Sequence, residues 1–329
     1  MPARIDSTPF PRPAWLPGGH LQTIHAAHLA TRPRYRFIRH RAETLDGDFI
    51  DFDWTAVPSG PIKPGSPALL LFHGLEGSSN SSYAQTLAQT FHEHGWIVAI
   101  AHFRGCSGTP NRLARAYHSG DTADVAFMID TVKHALPHAH WHLAGVSLGG
   151  NAMLRYLGEE PGAISGIHAA AAISSPMDLV ACGHQLSRSL MGRWLYTPHF
   201  LRTMKTKMQE KARQFPDVFD SQRVAASRTL HEFDDAYTAP VHGFRDVLDY
   251  WTRASSKPVL KRIQVPTLIL NARNDPFVPA WSLPEAADCS DQVVLHQPRH
   301  GGHVGFVTGR YPGHLGWLAQ RLLTFFESA

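Results

Sequence analysis

The sequence predicts an α/β fold: a mostly parallel, eight-stranded sheet flanked by helices and interrupted by a helical cap insertion. Three observations carry that expectation. Runs of consecutive apolar residues, such as 68–72 and 167–173, suit strands buried on both faces. Between them lie stretches whose apolar residues recur at helical spacing, with charges on the opposite side. The alternation stops after Ser175-Pro176, reads mostly helical to about Pro258, and then resumes. Strand and helix patterns in this order wind into a parallel sheet through right-handed crossovers. Residues 1–175 are therefore read as the N-terminal part of the core with its extension, 176–258 as the cap, and 259–329 as the C-terminal part of the core.

Taken in order, residues 1–35 are Pro-rich and irregular, with Trp15-Leu16-Pro17-Gly18-Gly19-His20 reading as a turn before a short helix. Residues 35–41 and 48–54 alternate like an antiparallel pair with one solvated face. Residues 58–67 read as a Pro/Gly-rich surface connection. Buried strands follow at 68–72, 96–101, 141–146 and 167–173. Tyr83, Leu87 and Phe91 share one helix face, as do Val125, Met128, Ile129 and Val132, and Met153, Leu154 and Leu157 lie on the helix after 141–146. In the cap, Thr197-Pro198 reads as a helix start, a capping residue followed by Pro at the first position. Phe200, Leu201, Met204 and Met208 then form an apolar stripe. Arg202, Lys205, Lys207, Lys211 and Arg213 face elsewhere, as a solvated surface or, alternatively, as a weak contact with a membrane surface or an anionic substrate. After Pro258 come strands at 265–270 and 292–296 and a last helix carrying Leu315, Leu318, Leu322 and Phe325.

Hydrophobic residues make up 43% of the 329 positions and charged residues 18%, a balance that supports a large buried core. The net charge of +4 is interspersed with acidic residues and has no long Lys/Arg block, which argues against a nucleic-acid partner. Cys106, Cys182 and Cys289 are odd in number and far apart. Neither a disulfide framework nor a zinc ribbon is indicated, and a reducing, cytoplasmic setting is expected. The first ten residues lack the apolar stretch of a secretory signal, and no run approaches the ~20 residues a membrane span needs. The 22 histidines raise the question of a metal. His92-Glu93-His94 is not H-E-x-x-H, however, and His138, His140 and His142 alternate along a strand-like stretch, so no metal and no cofactor are expected.

Chemistry concentrates at a few positions. Ser147 lies in Gly145-Val146-Ser147-Leu148-Gly149, between an apolar strand pattern and a helical one. A sharp strand-to-helix turn there would lift the hydroxyl clear of the sheet, and the crowding beside it admits only small residues. Asp275 follows the apolar run 267–270. His303 sits in the Gly-rich stretch His300-Gly301-Gly302-His303, with His300 as the rival base. The chain order Ser, Asp, His is that of α/β-hydrolases. Upstream, residues 69–72 run into His73-Gly74-Leu75, where such a fold places an oxyanion donor. These segments converge at the carboxyl ends of the strands. The expected chemistry is acyl transfer: His303 takes the Ser147 proton, Asp275 orients His303, and the Leu75 and Leu148 N–H groups receive the oxyanion. His73 is read as shaping the oxyanion loop, and Cys106 as an inert, buried or half-buried thiol.

Beyond these positions, His73-Gly74-Leu75-Glu76-Gly77-Ser78-Ser79-Asn80, His102-Phe103-Arg104-Gly105-Cys106-Ser107-Gly108, Tyr117-His118-Ser119-Gly120 and Phe233-Asp234-Asp235 resemble the YheT-like branch of the α/β-hydrolases. So do Thr238-Ala239-Pro240-Val241-His242-Gly243-Phe244 and the N-terminal stretch from Trp15 to Thr23. The resemblance covers nearly the whole chain, without departure at Ser147, Asp275 or His303. It implies an intact Ser-Asp-His triad and activity on esters, in a family that also holds medium-chain acyltransferases and lipid-directed hydrolases.

The expected activity is hydrolysis of carboxylic esters of short to medium acyl chains, a small-molecule substrate. Met177, Leu190, Trp194, Leu195, Phe200 and Met204 are the expected lining of the acyl pocket. Transfer of the acyl group to an alcohol, lipid-directed hydrolysis at a membrane surface, and a non-catalytic binding module on the same fold are the alternatives. Glu76, Arg104 and His118 either contact substrate or brace the loops, and bracing is the favoured reading.

Overall fold

The computed structural model describes residues 2–55, 63–160, 162 and 164–329. The connection expected at 58–67 lies, from 58 to 62, outside the described residues. The strands are β1 (Arg4–Asp6), β2 (Ile38–Glu43), β3 (Phe49–Trp54), β4 (Pro67–Phe72), β5 (Ile97–Ala101), β6 (His140–Val146), β7 (Ile167–Ile173), β8 (Thr267–Leu270) and β9 (Val293–His296). They form one sheet in the order β1-β9-β8-β7-β6-β4-β5-β3-β2. β3 is antiparallel to both β2 and β5, and the other pairs are parallel.

The eight expected strands are present, and β1 is a ninth. Its three residues are too few to show a pattern, and their strand conformation comes from a remote partner, Arg4 lying opposite Val294. The hairpin also departs from expectation. Instead of each strand having one wet face, β3 is buried along its length and β2 is almost wholly exposed. β3 has β5 on its other side, and its buried Asp51 and Asp53 each take a forked guanidinium from β2. Arg41 reaches Asp51 at 2.8 and 2.9 Å, and Arg39 reaches Asp53 at 2.7 and 2.8 Å.

Helices cover both faces of the sheet, which is why its strands need not alternate. Helix α1 (Gly19–His28) precedes the hairpin, while α2 (Ser82–Glu93), α3 (Thr122–Ala135) and α4 (Leu148–Glu159) connect parallel strands. Between β7 and β8 lie α5 (Leu179–Arg188), α6 (Thr197–Gln214), α7 (Ser221–Ala226), α8 (Leu230–Phe233), α9 (Ala239–Val241) and α10 (Val247–Ala254), and α11 (Gly316–Ser328) closes the chain. Ala68, Leu70 and Phe72 of β4 pack on the side of α3 and α4, with Met128, Ile129, Met153 and Leu157. Leu69 and Leu71 point the other way, to Leu87 and Phe91 of α2 and Leu318, Leu322 and Phe325 of α11. Each such buried Leu or Phe contributes roughly 1.5–3 kcal/mol.

Thr197 is not a helix cap. Tyr196 before it is already helical, and no side-chain hydrogen bond caps this end. The chain passes through one widened π-turn, Gly192–Tyr196, straight into α6. Pro198 has no N–H to give to the preceding turn, and a local widening accommodates it.

Candidate active site

Ser147 stands between β6 and α4 with φ 52° and ψ −121°, a left-handed conformation that costs a non-glycine residue free energy. The turn is tight because neighbouring backbones touch. A Cβ on Gly149 would lie 2.4 Å from the His73 carbonyl oxygen, and one on Gly145 would lie 2.5 Å from the Gly150 Cα. The flanking glycines are steric necessities, as the sequence indicates.

The structure brings the three expected residues together. His303 Nε2 is 3.0 Å from Ser147 Oγ, and His303 Nδ1 is 2.8 Å from Asp275 Oδ2. An ionised carboxylate only accepts, so Nδ1 carries the proton and Nε2 is left to accept from the serine hydroxyl. The Asp275 side chain is fully buried. Its other oxygen accepts the Phe277 and Val278 N–H groups at 2.7 and 3.2 Å, which fixes the carboxylate plane. His300 borders a separate cavity with Phe10, Pro298 and Arg299, so the geometry favours His303 over its rival.

The segment expected to hold an oxyanion donor follows β4. Gly74 packs against Ser147, where a Cβ would lie 3.2 Å from the serine Cβ. Tyr83 Oη accepts the Gly74 N–H at 3.0 Å, and Tyr117 Oη accepts the Glu76 N–H at 2.8 Å. Leu75 lies between these two anchored amides. Leu148 is the first residue of α4, where an N–H has no acceptor within its own helix. Leu75, Leu148 and Ser147 border one chamber. His73 accepts the Phe103 N–H at Nε2, 3.1 Å, and donates from Nδ1 to the Gly74 carbonyl, 2.7 Å. Burial holds its imidazole neutral, with a pKa of about 3.

The residues between β7 and β8 roof this site. An outer cavity of about 420 Å³ holds Ser147 and His303 between α1, through Ile24 and His28, and the roof, through Leu195 and Phe200. An inner, mostly apolar chamber of about 110 Å³ opens on the same serine beneath Leu179, Leu186, Met204 and Trp251. Of the expected acyl-pocket residues, Phe200, Met204 and Leu195 line these spaces. Leu190 and Trp194 do not, being 74% and 76% exposed, and Met177 is buried in the core. Trp194 lies within the π-turn itself, where side chains leave the face a regular helix would give them.

Two cations assigned to the outer face of α6 point inward. Lys207 donates to Glu76 Oε1 at 2.8 Å, and the buried Lys211 donates to the carbonyls of Asn111 and Leu113. Burial brings the Lys211 amine down to about 8. Glu76 also accepts the Tyr117 hydroxyl at 3.0 Å, so the roof and the oxyanion segment share one polar contact. Arg104 forks onto Asp124, with both contacts at 2.7 Å, and reaches Asp48 at 3.0 Å. Burial brings His118 down to about 3, and its Nδ1 accepts the Gly120 N–H. These contacts are bracing, although Glu76, Arg104 and His118 also border a third cavity, of about 230 Å³. Cys106 is a buried thiol pushed up to about 12.

Sequence reasoning about the site did not single out Gln22. From the buried second turn of α1, its carboxamide oxygen accepts the Asn274 side-chain NH₂ and the Gly301 N–H, both at 3.0 Å. Thr23 Oγ1 accepts the His303 N–H at 2.9 Å. The N-terminal extension thus ties the Asp275 loop to the His303 loop. The only signal for these residues is that both belong to the family-like stretch from Trp15 to Thr23. Among the described residues no cluster of three or more His, Cys, Asp or Glu side chains is placed to hold a metal ion, and no helix is long and apolar enough to cross a membrane.

A strand-borne serine, a histidine within hydrogen-bond reach and a buried aspartate, all at the carboxyl edge of a mostly parallel sheet, define a class, and comparison with known proteins agrees. The chain belongs to the α/β hydrolase fold family, whose model matches residues 67–310. Within it the expected likeness to the YheT-like branch is borne out. The chain is 35% identical to the protein named "Putative esterase YheT" of Escherichia coli (strain K12), over 94% of this chain and 91% of that one. It is 30% identical to phospholipase ABHD3 of Mus musculus, over 98% of this chain and 79% of that one. Among solved structures, the Pyrococcus furiosus esterase PF2001 shares the fold, with a TM-score of 0.56 at 17% identity, covering 92% of this chain and 98% of that one.

Proposed function

We propose that the protein is a serine hydrolase that cleaves carboxylic esters of short to medium acyl chains through an acyl-enzyme on Ser147. The observation that carries the reading is the continuous chain of contacts from Ser147 Oγ through His303 to Asp275. Kinship with proteins named as an esterase and a phospholipase points the same way. Ser147 Oγ attacks the ester carbonyl while His303 Nε2 takes its proton. Asp275 holds the imidazole in that tautomer and stabilises the imidazolium. The N–H groups of Leu75 and Leu148 receive the oxyanion, each worth about 3 kcal/mol of barrier. His303 then returns the proton to the departing alcohol, and water clears the acyl group by the same route.

In this reading residues 176–258 act as the cap. The inner apolar chamber takes the acyl chain, and the wider outer cavity takes the leaving alcohol. Three buried, unpaired cysteines fit the reducing, cytoplasmic setting expected for it. The test is hydrolysis of p-nitrophenyl esters from acetate to palmitate by the native protein and by Ser147→Ala. Activity peaking at short to medium chains and falling at least about 10³-fold in the variant is the expected result. Equal activity in both proteins would remove Ser147 as the nucleophile.

A further inference from the structure

The mouth of the outer cavity carries apolar side chains that the fold leaves uncovered. Residues 190–195 make a turn of the roof on which Leu190 is 74%, Trp194 76% and Leu195 42% exposed. Leu195 also lines the outer cavity, so the turn forms part of its rim. Across the mouth lies α1. His20 Nδ1 meets the Tyr196 hydroxyl at 3.0 Å, and the rings of His28 and His199 lie 6.3 Å apart. Leu21 and Leu29, next to these two histidines, are 54% and 57% exposed. Uncovered apolar side chains on both sides of one cavity mouth, a tryptophan among them, mark a contact surface rather than ordinary scatter of exposed side chains.

The charge around this rim is one-sided. Neither residues 7–42 nor residues 179–209 contain a single Asp or Glu. Arg188, Arg193 and Arg202 are exposed on the roof segment, and the exposed Arg32, just after α1, borders the outer cavity. Lys207 and Lys211 contribute nothing here, since both turn inward. An apolar rim with an aromatic anchor, built from two segments that carry arginines and no carboxylate, is complementary to the headgroup boundary of an anionic lipid layer.

We propose that the turn at 190–195 and the outer face of α1 dock this protein onto an anionic lipid surface, with the mouth of the Ser147 cavity facing the lipid. The proposal rests on the ester-hydrolase reading for the purpose of the docking, which brings lipid esters to the serine without their crossing water. The surface itself is tested independently of catalysis.

The experiment is co-sedimentation of the Ser147→Ala protein with vesicles of phosphatidylcholine alone and of phosphatidylcholine with phosphatidylglycerol. Binding to the anionic vesicles, weakening with added salt, is expected. Adding Leu190→Ser and Trp194→Ser should weaken it by about tenfold or more, because buried apolar area sets the affinity. Arg188→Gln with Arg193→Gln, which removes no apolar packing, should weaken it separately. With Ser147 intact, both pairs should hydrolyse a soluble acetate ester at the native rate. Absent binding to anionic vesicles, equal binding to neutral ones, or native binding by both variant pairs would overturn the proposal. So would a dimer in sedimentation velocity that Trp194→Ser dissociates, since a second copy would then own the patch. Vesicle binding without any esterase activity would uphold the surface and sink the hydrolase reading instead.

Discussion

The side-chain oxygen of Gln22 accepts the Gly301 N–H at 3.0 Å across 279 positions of sequence. The same oxygen accepts from Asn274, so one buried carboxamide spans the loops that carry Asp275 and His303. Gln22→Ala should leave two donors without their acceptor in a dry site, at a cost of about 1–3 kcal/mol each where buried. The expected result is a lower kcat with little change in KM, and a lower unfolding midpoint. A variant with native kcat would show that the His303 loop keeps its place without this bond.

Arg104 holds two buried carboxylates, Asp48 and Asp124, and reaches Asp46 near the surface. Arg104→Met removes this cation and leaves Asp124 with only the more distant Arg115, at 3.7 Å. Breaking a buried pair in this way costs about 3–5 kcal/mol. Urea unfolding should show that loss. Arg104→Lys should recover only part of it, because an ammonium cannot fork onto Asp124.

Asp234 is a half-buried residue of the roof itself. Thr238 Oγ1 and Trp251 Nε1 donate to it at 2.7 and 2.9 Å, and no cation faces it in an ion pair among the described residues. Burial raises its pKa to about 6 from the ordinary 3.8. The folded state therefore holds the proton more tightly than the unfolded chain. The resulting stability is complete below the unfolded value and is lost as pH rises through about 6. Asp234→Asn removes the titration. Between roughly pH 4 and pH 7, wild type should lose about 2 kcal/mol relative to the variant. Parallel stability curves over that range would contradict the assignment.

Met204 borders both the inner chamber and the third cavity. Met204→Ala should join the two spaces and move the preferred acyl chain to greater length, at a stability cost of about 2 kcal/mol or more. An unchanged profile across the p-nitrophenyl series would mean that the acyl chain lies elsewhere.

The element order was legible because each core strand is buried on both faces and so leaves an unbroken apolar run, while each crossover helix leaves a stripe. The candidate trio was legible for a related reason. A serine crowded by Gly145 and Gly149, and an aspartate and a histidine each following a strand, are local patterns with steric or topological causes. β1 left no such trace, since its backbone partners come from β9. The alternation in β2 and β3 misled because a buried Asp53 beneath Arg39 looks, in sequence, like a wet residue.

By itself, then, the sequence determined the α/β alternation, the place of the roof, and Ser147, Asp275 and His303 as the candidate reacting groups. Those properties live in short-range periodicity and in the sterics of one turn. Only the tertiary structure decided that Gln22 and Thr23 tether the loops. It also decided that Lys207 and Lys211 turn inward while Leu190 and Trp194 turn out. Each of these depends on which remote segment shares a residue's surroundings, and Trp194 also on the π-turn that contains it. Neither is written in the spacing of neighbouring residues.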